Sequence, residues 1–126
     1  MFNKISIIGC GLIGSSILRA VEEKKLASKI SAYDKSPTVN SYLKKNFSAE
    51  FCINISDVVK NSDLVIIASP LSSYKEILLS IQSNLKENTI LTDTGSAKKE
   101  VNKIIRNLNL KDINWIASHP IAGTEY

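Results

Sequence analysis

The chain has 126 residues, of which 44% are hydrophobic and 22% charged, an ordinary composition for one globular domain. Its formal net charge of +4 comes from scattered lysines and two arginines, without the clustered basic stripe of nucleic-acid-binding proteins. No apolar run approaches the roughly 20 residues that cross a bilayer, and no signal-peptide pattern is present at the start. We therefore expect a cytoplasmic protein that binds a small anionic molecule rather than nucleic acid or a membrane.

The chain offers few candidate metal or disulfide ligands. Cys10 and Cys52 lie far apart and form no CxxC pair, and His119 is the sole histidine. This pattern indicates neither a zinc site nor a disulfide framework, so we expect no metal and a reducing environment. Cys10 is expected to fill space in its loop rather than to act as a nucleophile.

Short apolar runs alternate with longer segments of helical period along the whole chain. In chain order, the pattern predicts a strand at 5–8, a helix at 14–25, a strand at 29–33, a helix at 36–46 and a weak strand at 51–53. The pattern then predicts a short helix capped by Ser56 or Asp57, a strand at 64–68 and a helix at 72–84 capped by Ser72 or Ser73. It ends with a strand at 89–92, a helix at 98–108 and a strand at 114–117. This alternation predicts an α/β fold, a doubly wound Rossmann-type parallel sheet in a single domain spanning 1–126.

A GxGxxG segment, Gly9 to Gly14, follows the first predicted strand and begins the first predicted helix. In that position the pattern indicates a dinucleotide-binding loop. We expect Gly9 to permit the tight turn, Gly11 to let the backbone approach a pyrophosphate, and Gly14 to let the helix pack closely. The unpaired N–H groups at the helix start would then bind the phosphates.

Asp34 stands 20 positions after Gly14, at the end of the second predicted strand. A carboxylate there accepts hydrogen bonds from the adenosine ribose and repels a 2′-phosphate, so NAD is favoured over NADP. Lys35 beside it weakens this preference, because a cation there could attract the phosphate. The alternative is that the glycines only shape a turn and that Asp34 is a solvated strand end.

Three further segments follow predicted strands: Ala68-Ser69-Pro70-Leu71, Thr92 to Lys98 (TDTGSAK) and Ser118 to Glu125 (SHPIAGTE). With the glycine loop, and in this order, they resemble the prephenate/arogenate dehydrogenases of tyrosine biosynthesis. By this resemblance the cofactor is NAD, and we expect its site to comprise Gly9, Gly11, Leu12, Ile13, Gly14, Asp34, Ser69, Pro70 and Gly95.

The resemblance also implies a reaction. In that family the cofactor takes hydride from the ring carbon that bears the hydroxyl of prephenate, the histidine draws the hydroxyl proton, and the ring carboxylate leaves as carbon dioxide. Carried over to this chain, His119 and Ser96 would be catalytic, and both would contact the substrate together with Ala122 and Gly123. The pKa of an unperturbed histidine, near 6.5, suits proton acceptance at neutral pH. Whether the substrate is prephenate, giving 4-hydroxyphenylpyruvate, or arogenate, giving tyrosine, stays open.

The resemblance covers only the nucleotide-binding half of the family's architecture. Family members usually continue into a helical domain that dimerises and supplies a cation for the substrate carboxylates, and that domain is absent from these 126 residues. The sequence is therefore expected to be a fragment, a truncated natural chain or half of a two-chain enzyme, with a homodimer expected only when the helical domain is present. Two alternatives remain: a dehydrogenase domain of the hydroxyacid or imine type, or an NAD-binding module without catalysis.

Overall fold

The centre of the molecule is a six-stranded parallel sheet. In chain order its strands are β1 (Phe2–Ile8), β2 (Ala27–Tyr33), β3 (Glu50–Phe51), β4 (Leu64–Ile67), β5 (Ile90–Asp93) and β6 (Asn114–Ile116). The helices are α1 (Leu12–Glu23), α2 (Pro37–Asn46), α3 (Ile55–Val58), α4 (Tyr74–Ile81) and α5 (Lys98–Leu108). The computed structural model describes residues 2–95, 98–108 and 113–116. Within these ranges no helix has the length and apolar character needed to cross a membrane.

The strands lie in the spatial order β3-β2-β1-β4-β5-β6, and every pair is parallel. This order places β1 and β4 side by side at the centre, with the chain winding outward in both directions. It is the arrangement of a doubly wound dinucleotide-binding sheet, which confirms the predicted fold class.

Two buried clusters cover the two faces of the sheet. Successive side chains of a strand point to opposite faces, so Ile7 of β1 joins the cluster that contains Leu18 of α1, whereas Ile8 joins the cluster that contains Leu78 of α4. Val65 and Ile67 of β4 are fully buried in this second cluster. The central strands are apolar on both faces because helices cover both of them.

Most predicted elements are present, with shifted ends. Helix α1 begins at Leu12, two residues before the predicted start, and β3 is only the pair Glu50–Phe51. Asn54, rather than Ser56 or Asp57, precedes α3. The helix predicted at 72–84 is wrong as one continuous element, because 3₁₀ turns at Leu71–Ser73 and Gln82–Asn84 flank α4. Pro70 directly precedes the first of these turns, and the predicted cap Ser73 makes no capping hydrogen bond with its side chain.

Candidate functional site

The carboxyl ends of four strands lie at one level of the sheet. Ile8 pairs with Tyr33 and with Ile67, and Ile67 pairs with Asp93, so the chain leaves β1, β2, β4 and β5 at the same edge. The residues that follow these strands line a pocket of about 840 Å³. Ligand pockets commonly measure roughly 300–1,000 Å³. The lining includes the predicted residues Gly9, Gly11, Leu12, Ile13, Asp34, Ser69, Pro70 and Gly95.

The glycines between β1 and α1 have three different surroundings. Gly9 has a φ of +93°, and a Cβ there would lie 2.4 Å from the Ser69 Oγ and 2.7 Å from the Ala68 carbonyl oxygen. A Cβ at Gly14 would lie 1.8 Å from the carbonyl oxygen of Gly9. At Gly11 a Cβ would meet no other atom within 4 Å. Backbone conformation and packing therefore require Gly9 and Gly14, whereas Gly11 leaves open space on the pocket side.

The start of α1 provides hydrogen-bond donors at this open space. Gly11 is the residue before the first helical turn, and within the described part of the chain no side chain caps it. The first N–H groups of a helix lack partners inside the helix, and the helix dipole places partial positive charge there. Leu12 is 86% exposed and Ile13 50% exposed, both on the pocket lining. This combination suits a ligand that carries phosphates.

Asp34 directly follows β2 and lines the end of the pocket next to that strand. Its Oδ2 accepts a hydrogen bond from the Cys10 N–H at 2.8 Å, and its Oδ1 accepts one from the Ser36 N–H at 2.9 Å. Ionised carboxylate oxygens have further acceptor sites, so the side chain can still accept from a hydroxyl. Lys35 lines the same end of the pocket. The carboxylate therefore holds the glycine loop as well as facing the ligand space.

Cys10 belongs to the glycine loop and is buried. Burial, and to a lesser degree the charge of Asp34, raises the pKa of its thiol to about 12. A thiol with this pKa is protonated at neutral pH and is a weak nucleophile. The finding agrees with the prediction that Cys10 fills space.

A buried carboxylate that the sequence analysis did not single out lies beside the other end of the pocket. Asp93 is fully buried at the end of β5, and its oxygens accept hydrogen bonds from the Tyr74 hydroxyl at 2.8 Å and the Gly95 N–H at 2.9 Å. The Lys98 ammonium group forms an ion pair with it at 2.5 Å. The ring of Tyr74 is buried, and its hydroxyl is bonded to this carboxylate.

Part of the predicted site lies outside the described residues. Ser96, His119, Ala122 and Gly123, the predicted substrate residues, are all in this group. The predicted cofactor residues other than Gly14 line the pocket. Among residues 2–95, 98–108 and 113–116, no three His, Cys, Asp or Glu side chains are grouped to hold a metal ion.

Comparisons with known proteins found a matching family and several similar proteins. Residues 17–126 match the family described as prephenate dehydrogenase, nucleotide-binding domain. The chain is 36% identical over 126 residues to a cyclohexadienyl dehydrogenase of Zymomonas mobilis, covering 99% of this chain and 43% of that protein. It is 31% identical to a prephenate dehydrogenase of Lactococcus lactis, covering 96% of this chain and 34% of that protein.

A solved structure shares the fold at full coverage. The prephenate dehydrogenase of A. aeolicus, in complex with hydroxyphenyl propionate and NAD+, superposes with a TM-score of 0.76 at 25% identity, covering 100% of this chain and 44% of that one. This chain thus spans less than half the length of the relatives that it matches.

Proposed function

The chain belongs to the prephenate dehydrogenase family as its nucleotide-binding domain, and from this premise we propose that it binds NAD for the oxidative decarboxylation of prephenate or arogenate. The substrates are small anions, and we propose no nucleic-acid or membrane partner. The observation that carries the proposal is that Asp34, Gly11 and Gly95 all line the same pocket.

The pocket fits a dinucleotide in one orientation. The open space beside Gly11 and the uncapped start of α1 would receive the pyrophosphate, because backbone N–H groups there can donate without a Cβ in the way. Asp34 would accept hydrogen bonds from the adenosine ribose. In a doubly wound sheet the dinucleotide lies across the strand ends, so its nicotinamide half would lie toward Thr94 and Gly95.

Asp34 also supports the preference for NAD over NADP. A 2′-phosphate would be brought close to its carboxylate, and the two negative charges would repel each other. Lys35 would offset part of this repulsion because it lines the same end of the pocket. We therefore propose NAD as the preferred cofactor, with measurable binding of NADP.

The catalytic residues that we propose are His119 and Ser96. Bound NAD supplies the hydride acceptor, and His119 would draw the proton from the hydroxyl of the substrate. Support comes from β6, which pairs in parallel with β5 through Ile116 opposite Thr92 and ends three positions before His119. Ala122 and Gly123 would offer backbone groups to the substrate. A further domain would supply the cation for the substrate carboxylates and the homodimer contact.

Calorimetric titration of the 126-residue chain tests the proposal. NAD+ is expected to bind at one site, and NADP+ is expected to bind more weakly. The matched control is Gly11→Ala, which should fold normally and bind NAD+ poorly because the added methyl group occupies only ligand space. An absence of NAD+ binding to the folded wild-type chain would refute the proposal.

Addition of prephenate to the same sample extends the test, with NADH absorbance as the signal. Binding without turnover is the result expected of the cofactor half of an enzyme. Turnover would show instead that these 126 residues hold every group that the reaction needs, and it would contradict the proposed need for a second domain.

A further inference from the structure

One carboxylate connects three elements beside the pocket. Asp93 ends β5, Tyr74 begins α4 and Lys98 begins α5, and the aspartate accepts hydrogen bonds from both of the other side chains. Tyr74 is 1% exposed, whereas the side chain of Lys98 is 24% exposed. None of the three lines the pocket itself. We refer to these residues as the Asp93 network.

The network is a costly arrangement unless its groups are paired. Burying a carboxylate is unfavourable without hydrogen bonds or a counter-charge, and this one has a hydroxyl, a backbone N–H and an ammonium group. Burial and the neighbouring aspartate raise the pKa of Tyr74, so its hydroxyl stays protonated and donates. The network is therefore a fixed element rather than a set of interchangeable surface contacts.

The backbone after β5 is held directly against this network. Gly95 donates its N–H to Asp93, and a Cβ on Gly95 would lie 2.9 Å from both the Asp93 Oδ2 and the Tyr74 hydroxyl. The N–H of Thr94 donates to the carbonyl of Ile67 at 3.0 Å, which anchors the same turn to β4. Thr94 and Gly95 line the pocket at the end remote from Asp34.

We propose that the Asp93 network is a positioning device, which holds the Thr94–Gly95 turn against the nicotinamide half of a bound dinucleotide. It touches neither substrate nor cofactor and acts through the backbone of Gly95. The inference rests on the proposed function, because the turn would contact nicotinamide only when the ribose of the other half is bound at Asp34. The inference predicts that the network affects binding of the nicotinamide half of the cofactor and does not affect binding of the ADP-ribose half.

Tyr74→Phe tests this prediction, because it removes one hydroxyl and keeps the ring that fills the core. Affinities for NAD+ and for ADP-ribose, which lacks only the nicotinamide, are measured by calorimetry on the wild-type and variant chains. Wild type should bind NAD+ more tightly than ADP-ribose. The variant should lose about tenfold in NAD+ affinity, equivalent to about 1.4 kcal/mol, and keep its ADP-ribose affinity within about twofold. Tyr42→Phe, a hydroxyl deletion on an exposed residue of α2, is the matched control and should change neither affinity.

Fluorescence of bound NADH gives a readout that does not depend on affinity. At saturating protein, the emission of NADH reports the surroundings of the nicotinamide, so Tyr74→Phe should shift it toward the emission of free NADH. Lys98→Met is the second variant, in case Tyr74→Phe does not fold, and it should produce the same selective loss because Asp93 then loses its counter-charge.

Two negative results have different meanings. If both variants lower the melting temperature but leave the ratio of NAD+ to ADP-ribose affinity and the NADH emission unchanged, the network is structural only and the inference is overturned. If the wild-type chain binds neither NAD+ nor ADP-ribose, the proposed function fails first and the inference fails with it.

Discussion

The Oδ2 atom of Asp34 lies 2.8 Å from the backbone nitrogen of Cys10, so the acidic residue after β2 is bonded to the glycine loop after β1. The same carboxylate accepts the N–H of Ser36 and thereby shapes the start of α2. A residue that faces the ligand space thus also fixes the loop that would bind the phosphates. Substitution of Asp34 should therefore change cofactor choice and loop stability together.

Asp34→Ser should weaken NAD+ binding and reduce the preference over NADP+. Losing hydrogen bonds to a charged group costs about 1.5–3 kcal/mol, which corresponds to an affinity loss of about tenfold or more. Removal of the negative charge should leave NADP+ less affected. The measurement is the ratio of dissociation constants for the two cofactors, with Lys35→Met as the control that should weaken NADP+ selectively. A ratio that Asp34→Ser leaves unchanged would remove Asp34 from the ribose site.

Two glycines of the loop, Gly11 and Gly14, should respond differently to alanine. Gly11→Ala adds a methyl group that meets no other protein atom within 4 Å, so the free energy of unfolding should change by less than about 1 kcal/mol. NAD+ affinity should nevertheless fall by about tenfold or more, since the methyl group occupies ligand space. Gly14→Ala forces a Cβ against the Gly9 carbonyl and should destabilise the fold by about 1–3 kcal/mol. Denaturant unfolding and calorimetry together separate the effects, and a stable Gly14→Ala chain would contradict this account of the turn.

His119→Asn should separate catalysis from cofactor binding. NAD+ affinity of the 126-residue chain should stay within about twofold. Prephenate oxidation, the proposed activity, should fall by about 100-fold or more wherever it is detectable, the usual effect of losing a general base. An equal loss of NAD+ affinity would instead make His119 a cofactor-binding or structural residue.

The stability of the fold at low pH should depend on Asp63. Its carboxylate accepts hydrogen bonds from the Lys86 ammonium at 2.6 Å and the Asn3 N–H at 2.6 Å, and these lower its pKa. The ionised form is thus favoured in the folded state. The resulting stabilisation is present above the unfolded pKa of roughly 3.9 and is lost as the pH falls through the lower folded value.

Asp63→Asn should consequently lower the melting temperature at neutral pH and have progressively less effect below about pH 4. Asp57→Asn is the matched control, because the side-chain partners of Asp57 among the described residues, Asn54 and Lys60, both lie three positions from it. Its effect should be smaller, as is usual for exposed local ion pairs. A melting-temperature difference for Asp63→Asn that stays constant with pH would contradict the assignment.

The glycine loop and the sheet could be predicted because their signals are local. Leu64 to Ile67 is a continuous apolar run, and Ile5 to Ile8 is apolar except for Ser6. Such runs are typical of a strand covered on both faces, and GxGxxG indicates the turn between β1 and α1. The Asp93 network could not be read this way. Tyr74 and Asp93 are 19 positions apart and meet only because α4 packs on the face of the sheet where Leu91 and Asp93 both point.

One signal for the network was nevertheless present in the sequence. Asp93 lies two residues after Leu91 and therefore on the same buried face of β5, and a carboxylate in that position requires partners. Lys98 follows five positions later, and its ammonium group is the counter-charge of this carboxylate. The division of 71–84 into a helix between two 3₁₀ turns had no comparable signal, because Ile77, Leu78 and Ile81 keep helical spacing throughout.

The pocket takes its walls from both helical layers of the molecule. Leu12 and Ile13 belong to α1, whereas Glu76, Ile77 and Ser80 belong to α4 on the opposite face of the sheet. A ligand that fills the pocket would bridge the two layers in the folded chain and would find no such surface in the unfolded one. Ligand at 100 times its dissociation constant would then add about 2.7 kcal/mol to the free energy of unfolding. Occupancy should therefore raise the resistance of both layers to proteolysis and hydrogen exchange, including segments that the ligand does not contact.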